Sequence, residues 1–156
     1  MRLRISMKKL TLIGGAPLAG KTTLSREIAK KDGAVEVSTD SIRSWMKSLV
    51  TPNEYPGLFY TDGMSAEEFY AVYNTPESVV EGEIAEGKQV EKGIVALLET
   101  AITWDHLVIE GIALTPELMV RLKNNYQDRE VECIVLVDED VHRIHERIRG
   151  RGLWGP

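Results

Sequence analysis

The stretch that decides the fold lies near the start of the chain and reads Gly15-Ala16-Pro17-Leu18-Ala19-Gly20-Lys21-Thr22. It fits the pattern G-x-x-x-x-G-K-[ST], in which a glycine-rich turn joins a strand to a helix. The apolar, β-prone residues 9–13 precede the turn, and residues 24–30, which have helical periodicity, follow it. The N–H groups of such a turn and the positive end of the helix dipole attract phosphate. The sequence therefore predicts a phosphate-binding loop.

Each residue of this loop has a predicted role toward a nucleotide and its metal ion. Lys21 is expected to reach the outer phosphates, and the Thr22 hydroxyl to ligate Mg²⁺. The predicted nucleotide-binding residues are Gly15, Ala16, Pro17, Leu18, Ala19, Gly20, Lys21, Thr22 and Thr23. The alternative, a glycine turn that binds nothing, is disfavoured by the strand and helix on either side of it.

Composition narrows the class of protein. The 156 residues suit one domain, 1–156, with a core large enough to need no disulfide or structural metal. Cys133 lies in an apolar run and is predicted to be a small core residue, and the three histidines lack the spacing of a metal site. The net charge of −5 argues against nonspecific binding to nucleic acid. Without a signal peptide or a transmembrane stretch, the chain is expected to be cytoplasmic.

Strand and helix patterns alternate along the chain. Apolar runs predict strands at 9–13, 35–37, 107–109 and 131–137, and helical spacing predicts helices at 20–31, 38–49, 66–73, 75–102, 115–124 and 139–149. Such alternation predicts an α/β fold, three layers (α/β/α) around a parallel sheet. The loop 51–64 carries three aromatic residues, which either stack on a flat substrate or, more often, pack the loop onto the domain.

Charged residues follow the carboxyl ends of the predicted strands, where open parallel sheets bind ligands. Asp40 and Arg43 follow the second strand, and Glu110 follows the third. Asp40 is suited to accept the proton of a substrate hydroxyl or to hold Mg²⁺, and Arg43 to bind an anionic group. Glu110 is the candidate acid beside the loop. The plainer alternatives are that Asp40 only caps a helix and that Glu110 only meets solvent.

Arginines cluster at the end of the last predicted helix, namely Arg143, Arg147, Arg149 and Arg151. With the glycines beside them, they are typical of a mobile lid that stabilises charge on a transferring phosphoryl group. We therefore expect 141–156 to form part of a lid in which Arg147 and Arg151 contact the nucleotide. The alternative is that cations simply favour a helix C-terminus.

Taken together, the motifs resemble those of the P-loop small-molecule kinases, which include adenylate-kinase-like, gluconate, adenylylsulfate and zeta-toxin-type kinases. The motifs that carry the resemblance are the loop itself, Ser38-Thr39-Asp40-Ser41-Ile42-Arg43, Val108-Ile109-Glu110-Gly111 and Glu146-Arg147-Ile148-Arg149-Gly150-Arg151. The second of these and the stretch Ile-Glu-Gly-Ile-Ala-Leu-Thr-Pro look most similar to the 2-phosphoglycerate kinases. The likeness covers nearly the whole chain, except for residues 51–75.

The resemblance implies further expectations. It implies strand order 2-3-1-4-5, ATP and Mg²⁺ as cofactors, Lys21, Asp40, Arg43, Arg147 and Arg151 as catalytic residues, and Thr22, Asp40 and Glu110 around the metal. Residues 51–102 would form an insertion on the acceptor side. Two departures stand out: a glutamate replaces the usual aspartate after the third strand, and no fifth strand follows the fourth. A fragment, a homo-oligomer that covers the open edge, or a rudimentary adenine site would each explain the second departure.

These features predict ATP-dependent phosphoryl transfer to a hydroxyl of a small, anionic metabolite, with the nucleotide and this acceptor as partners and no membrane. A polynucleotide or nucleotide-sugar kinase is one alternative, although the acidic net charge disfavours a nucleic-acid acceptor. A nucleotide-binding regulatory module without turnover is another. A GTPase is disfavoured because the chain has no Asn-Lys-x-Asp motif.

Overall fold

A computed structural model of the protein describes residues 8–100 and 104–150. Its strands are β1 (Lys8–Gly15), β2 (Val35–Ser38), β3 (His106–Glu110) and β4 (Arg129–Leu136). Its helices are α1 (Lys21–Asp32), α2 (Thr39–Lys47), α3 (Ala66–Val72), α4 (Pro76–Thr100), α5 (Pro116–Asn125) and α6 (Val141–Gly150), with a short 3-10 helix at Pro56–Phe59. The elements follow the predicted order and type, and most bounds differ from the prediction by one or two residues.

The four strands form one parallel sheet in the order β2-β3-β1-β4, which confirms the predicted fold class. Connections between parallel strands are right-handed. Because the chain moves one way across the sheet from β1 to β2 and the other way from β3 to β4, α1 lies on one face and α5 on the other. Helix α4 connects β2 to β3 and shares the face of α5. The carboxyl ends of β1, β2 and β3 therefore meet at one edge, beside the start of α1.

The core is made of apolar side chains from the sheet and the helices that cover it. Leu12, Ile109 and Ile94 are fully buried within it. The turn before α5 and the helix itself pack very near β1, since a Cβ added to Gly14 would lie 2.2 Å from the carbonyl oxygen of Leu114 and 2.9 Å from Cε of Met119. This packing holds the start of the phosphate-binding loop against a rigid layer.

Strand β4 departs from the sequence prediction. Cys133 is exposed, so its prediction as a core residue was wrong. The reason is position in the sheet: among the described residues β4 pairs with β1 alone, and Glu132, Cys133 and Val135 of this strand are exposed. Burial is still sufficient to raise the pKa of the Cys133 thiol. The helix predicted over 38–49 ends at Lys47, and Leu49, which lies beyond it, is exposed.

Among residues 8–100 and 104–150, no helix is both long enough and apolar enough to span a bilayer.

Candidate functional site

The loop between β1 and α1 has the backbone shape that phosphate binding needs. Gly15 has a φ of 131°, and a Cβ there would lie 2.1 Å from the carbonyl oxygen of Leu136. Gly20 precedes α1 in the left-handed region and has no side chain with which to cap it. Leu18, at φ 65°, is the one residue other than glycine with positive φ in the described ranges. The loop therefore curves around a space that backbone amides can line.

Lys21 and Thr22 begin α1 on the inner side of this loop. Lys21 is buried, and its ammonium group donates a hydrogen bond of 2.6 Å to the carbonyl oxygen of Ala16. The Thr22 hydroxyl donates to Oε1 of Glu110 over 3.1 Å. An ammonium group, a hydroxyl and a carboxylate thus lie together at the end of the loop, as the sequence predicted.

Glu110 ends β3 and is only 5% exposed, so the alternative that it simply meets solvent is wrong. Burial raises the pKa of its carboxyl group, although the hydrogen bond from Thr22 and the charge of Lys21 oppose the shift. The next residue, Gly111, lies against α2, since a Cβ on it would fall 1.8 Å from the Thr39 hydroxyl oxygen. This close approach holds the end of β3 next to the start of α2.

Asp40 lies in the first turn of α2 and faces the loop across the site. The helix is capped by Ser38, whose hydroxyl accepts a hydrogen bond from the amide of Ser41. The alternative that Asp40 is only the cap is therefore wrong. Asp40 is exposed, and it lines the cavity over the phosphate loop as well as two adjoining cavities.

Arg43 makes a contact that the sequence did not reveal. One of its terminal nitrogens, Nη1, donates to both carboxylate oxygens of Glu86 on α4, at 2.8 Å each. Glu86 is 8% exposed, and this burial raises the pKa of its carboxyl group against the opposing effect of Arg43. The available signal in the sequence was the position of Glu86, four residues before Val90 and therefore on the apolar face of a long helix. Nothing in the sequence paired Glu86 with a residue 43 positions earlier.

Further acids and aromatic residues surround this pair. The Tyr60 hydroxyl donates to Oε1 of Glu83 over 2.8 Å, and burial raises the pKa of that hydroxyl. Tyr60 also stacks edge-on against Tyr73, while Tyr55 and Phe59 pack against the core. The loop aromatics therefore pack the loop onto the protein, which was the plainer of the two interpretations.

Of the arginines predicted for the lid, Arg147 reaches the site. Its Nη1 donates to the carbonyl oxygen of Leu18 over 2.6 Å and to Asp138 over 3.0 Å. Arg143 donates to both oxygens of the same aspartate. Arg149 is exposed and absent from the cavity lining. Arg151 lies outside the described residues, as does the end of the predicted lid.

Three cavities adjoin the site, and Asp40 lines all of them. The largest, about 610 Å³, lies over the phosphate loop and is lined by Pro17, Leu18, Gly20, Lys21, Thr22, Thr23, Asp40, Glu110, Gly111, Ile112, Arg147 and Ile148. A second space of about 400 Å³ extends toward Glu36 and Trp45. The third is a recess of about 80 Å³ between α2 and α4, and its walls include Asp40, Arg43 and Glu86.

The oxygen groups at the loop suit a hard cation. Hydroxyl and carboxylate oxygens, as on Thr22 and Glu110, are ligands that Mg²⁺ accepts, and this ion usually keeps waters and binds substrate phosphates as well. Over the described part of the chain, no group of three or more His, Cys, Asp or Glu side chains forms a complete metal cage. The arrangement therefore fits an ion that arrives with a polyphosphate better than one bound by protein ligands alone.

The loop and the order of the parallel strands define a P-loop α/β/α fold. A gluconokinase from Sinorhizobium meliloti superposes with a TM-score of 0.51 at 11% identity, over 96% of this chain and 69% of that one. A candidate kinase from Chloroflexus aurantiacus gives 0.52 at 23% identity, over 97% and 72%. At such identities the likeness concerns the fold.

Curated relatives make the resemblance more specific. The chain is 28% identical over 151 residues to the 2-phosphoglycerate kinase of Methanopyrus kandleri, which covers 94% of this chain and 46% of that protein. It is 24% identical to the mevalonate-3-phosphate 5-kinase of Thermoplasma acidophilum, over 86% of the chain and 65% of that protein. No protein-family profile matches. The chain spans about half the length of the 2-phosphoglycerate kinases it matches. The resemblance to the P-loop kinases, drawn from the motifs, is confirmed.

Proposed function

We propose that this chain carries the phosphoryl-transfer site of an ATP-dependent kinase whose acceptor is a hydroxyl of a small, anionic metabolite. The observation that carries the proposal is the convergence at one cavity of Lys21, the Thr22–Glu110 pair and Asp40. A polyphosphate in the loop would place its outer phosphate between the loop and Asp40. Kinase relatives named for phosphorylated acids support the acceptor class.

The nucleotide half of the site would act through charge and position. The amides of the loop and the ammonium group of Lys21 would hold the phosphates in line for transfer. Thr22, Glu110 and Asp40 would hold Mg²⁺. The ion, when bound with ATP, supplies neutralising charge to the phosphates.

The acceptor half would act through Asp40 and Arg43. Asp40 lines the same cavity as the loop, and its carboxylate would accept the proton of the attacking hydroxyl. Arg43 lines the recess next to it and would hold the anionic group of the acceptor. Arg147, which contacts the loop carbonyl of Leu18, would move its guanidinium onto the transferred group when nucleotide binds. Arg151 is proposed for the same role on sequence grounds alone.

A phosphoryl-transfer assay tests this proposal directly. The protein is incubated with γ-labelled ATP and Mg²⁺ and a panel of acceptors: 2-phosphoglycerate, glycerate, gluconate and a 5′-hydroxyl oligonucleotide. We expect transfer to an anionic small molecule and none to the oligonucleotide. Transfer to the oligonucleotide alone would favour the polynucleotide kinase alternative.

Asp40→Asn separates a kinase from a regulatory module that only binds nucleotide. If Asp40 acts in the chemical step, kcat should fall by about 10³-fold while ATP affinity, measured by calorimetry, stays within about threefold. The matched control is Asp128→Asn, since Asp128 precedes β4 at the opposite edge of the sheet. ATP binding without turnover in the unmodified protein, with every acceptor tried, would contradict the proposal.

A further inference from the structure

The recess between α2 and α4 holds two carboxylates that compete for one guanidinium. Asp40 and Arg43 are three residues apart on α2, a spacing at which opposite charges commonly pair. Within the described ranges, however, no ion pair joins them, and the carboxylate of Asp40 accepts no hydrogen bond. Arg43 is bound to Glu86 on the neighbouring helix instead.

The contact between the two helices holds Glu86 in place. Gly93, seven residues after Glu86 and so on the same face of α4, lies directly against α2. A Cβ on Gly93 would fall 2.5 Å from Cγ2 of Ile42 and 2.6 Å from Sδ of Met46, so a larger residue there would require these side chains to move. Two turns earlier, the same face presents Glu86 to Arg43.

The pairing leaves Arg43 only partly used. Both hydrogen bonds to Glu86 come from Nη1, so the other terminal nitrogen and Nε have no hydrogen-bond partner among the described residues. Arg43 retains 30% of its side-chain exposure and lines the recess. An arginine held at one nitrogen keeps two other donor nitrogens for an anion and loses less conformational entropy when the anion binds.

We propose that Glu86 is a positioning residue that draws Arg43 away from Asp40. The consequence is twofold: Asp40 stays available to the acceptor hydroxyl, and Arg43 presents its remaining donors to the acceptor's anionic group. The second part rests on the proposed function. The first concerns only the arrangement of three side chains and can be tested without any substrate.

Crystal structures of Glu86→Gln and of the unmodified protein test the arrangement. The substitution keeps the size of the side chain and removes its charge. We expect the Arg43 guanidinium to lie within about 4 Å of the Asp40 carboxylate in the variant, the distance of an ion pair. The control is Glu91→Gln, which removes the charge of a partly buried α4 carboxylate that binds the exposed Arg121. An Arg43 that stays beside residue 86, or turns to solvent, would overturn the inference.

Kinetics with 2-phosphoglycerate as acceptor measure the consequence. For Glu86→Gln we expect kcat/KM for this acceptor to fall at least about tenfold, with the KM for ATP within about twofold of the unmodified protein. Glu91→Gln should change neither constant, and Glu86→Asp, which keeps the charge on a shorter side chain, should recover part of the loss. Equal losses for ATP and acceptor would indicate a merely structural role and overturn the inference.

The two proposals fail in different ways. If the unmodified protein transfers phosphate to no acceptor, the proposed kinase activity fails, while the crystal structures still decide whether Glu86 holds Arg43 away from Asp40. If Glu86→Gln does not fold, Glu86→Asp serves both measurements: unchanged kinetics with Arg43 displaced from residue 86 would contradict the positioning role.

Discussion

The two halves of the site are held in place by different means. On the proposed nucleotide side, glycines and main-chain contacts within residues 14–23 shape the phosphate loop, and the hydrogen bond of Thr22 with Glu110 ties it to β3. On the acceptor side, the positions depend on side chains far apart in sequence, above all Arg43 and Glu86. The difference teaches that backbone geometry resists most side-chain changes, whereas an arrangement of ion pairs can be altered one charge at a time.

The largest effect should come from breaking the backbone of the nucleotide side. Gly15→Ala places a methyl group 2.1 Å from the carbonyl oxygen of Leu136 at a φ of 131°. We expect a loss of about 3 kcal/mol or more in unfolding free energy, measured by urea denaturation. The matched control is Gly33→Ala, which also has positive φ but has nothing within 4 Å of the added Cβ. It should cost about 1 kcal/mol. Similar losses for both would show that crowding at Leu136 contributes nothing.

On the acceptor side, removing one charge should cost less and be reversible by a second change. Arg43→Met leaves Glu86 buried without its partner. We expect a loss of about 2 kcal/mol in unfolding free energy. This loss is smaller than for a fully buried pair because Arg43 is partly exposed. Adding Glu86→Leu should recover at least half of that loss without restoring turnover. Arg121→Met removes the partner of Glu91 on the same helix and should cost below about 0.5 kcal/mol, since that arginine is exposed. Denaturation and the transfer assay together decide this prediction.

Arg147 lines the same cavity as the loop and Asp40, and its removal should affect rate more than stability. It contacts Leu18 of the loop, while Arg149 on the same helix contacts no part of the cavity. If Arg147 stabilises charge on the transferred group, Arg147→Ala should lower kcat by about 10–100-fold, and Arg149→Ala by less than about twofold. A uniform effect of both variants would indicate that the lid contributes only general positive charge.

The smallest effect concerns Glu110 and depends on pH. Burial raises the pKa of this carboxyl above its ordinary value of 4.5, so the ionised form destabilises the native state at neutral pH. The penalty is complete above the raised pKa and disappears as pH falls to 4.5. Glu110→Gln should therefore unfold at a higher temperature than the unmodified protein at pH 7.5, and the advantage should shrink in acid. The turnover of Glu110→Gln should nevertheless fall, so this variant would be more stable but less active than the unmodified protein.

A good part of the fold and of the nucleotide side could be predicted from sequence, because the signals are local. The loop pattern, the left-handed Gly33 that ends α1 and the apolar runs of β1 and β3 each follow from a few adjacent residues. The prediction for Cys133 failed because an apolar run does not reveal whether its strand has one neighbour or two. Glu86 was missed for a related reason: its role depends on a helix crossing that no local pattern encodes.

The sequence by itself determined that this chain folds as a parallel α/β protein with a glycine-rich turn of the phosphate-loop pattern and with acids at the carboxyl ends of its strands. Those properties follow from periodicity and from the backbone freedom of a few glycines, which act over short distances. Only the tertiary structure decided which charges meet. It placed Thr22 against Glu110, drew Arg43 to Glu86 and left the carboxylate of Asp40 open to the cavity. The physical reason is that ion pairs form between whatever groups the packing of α2, α4 and the sheet brings within reach, however far apart they lie along the chain.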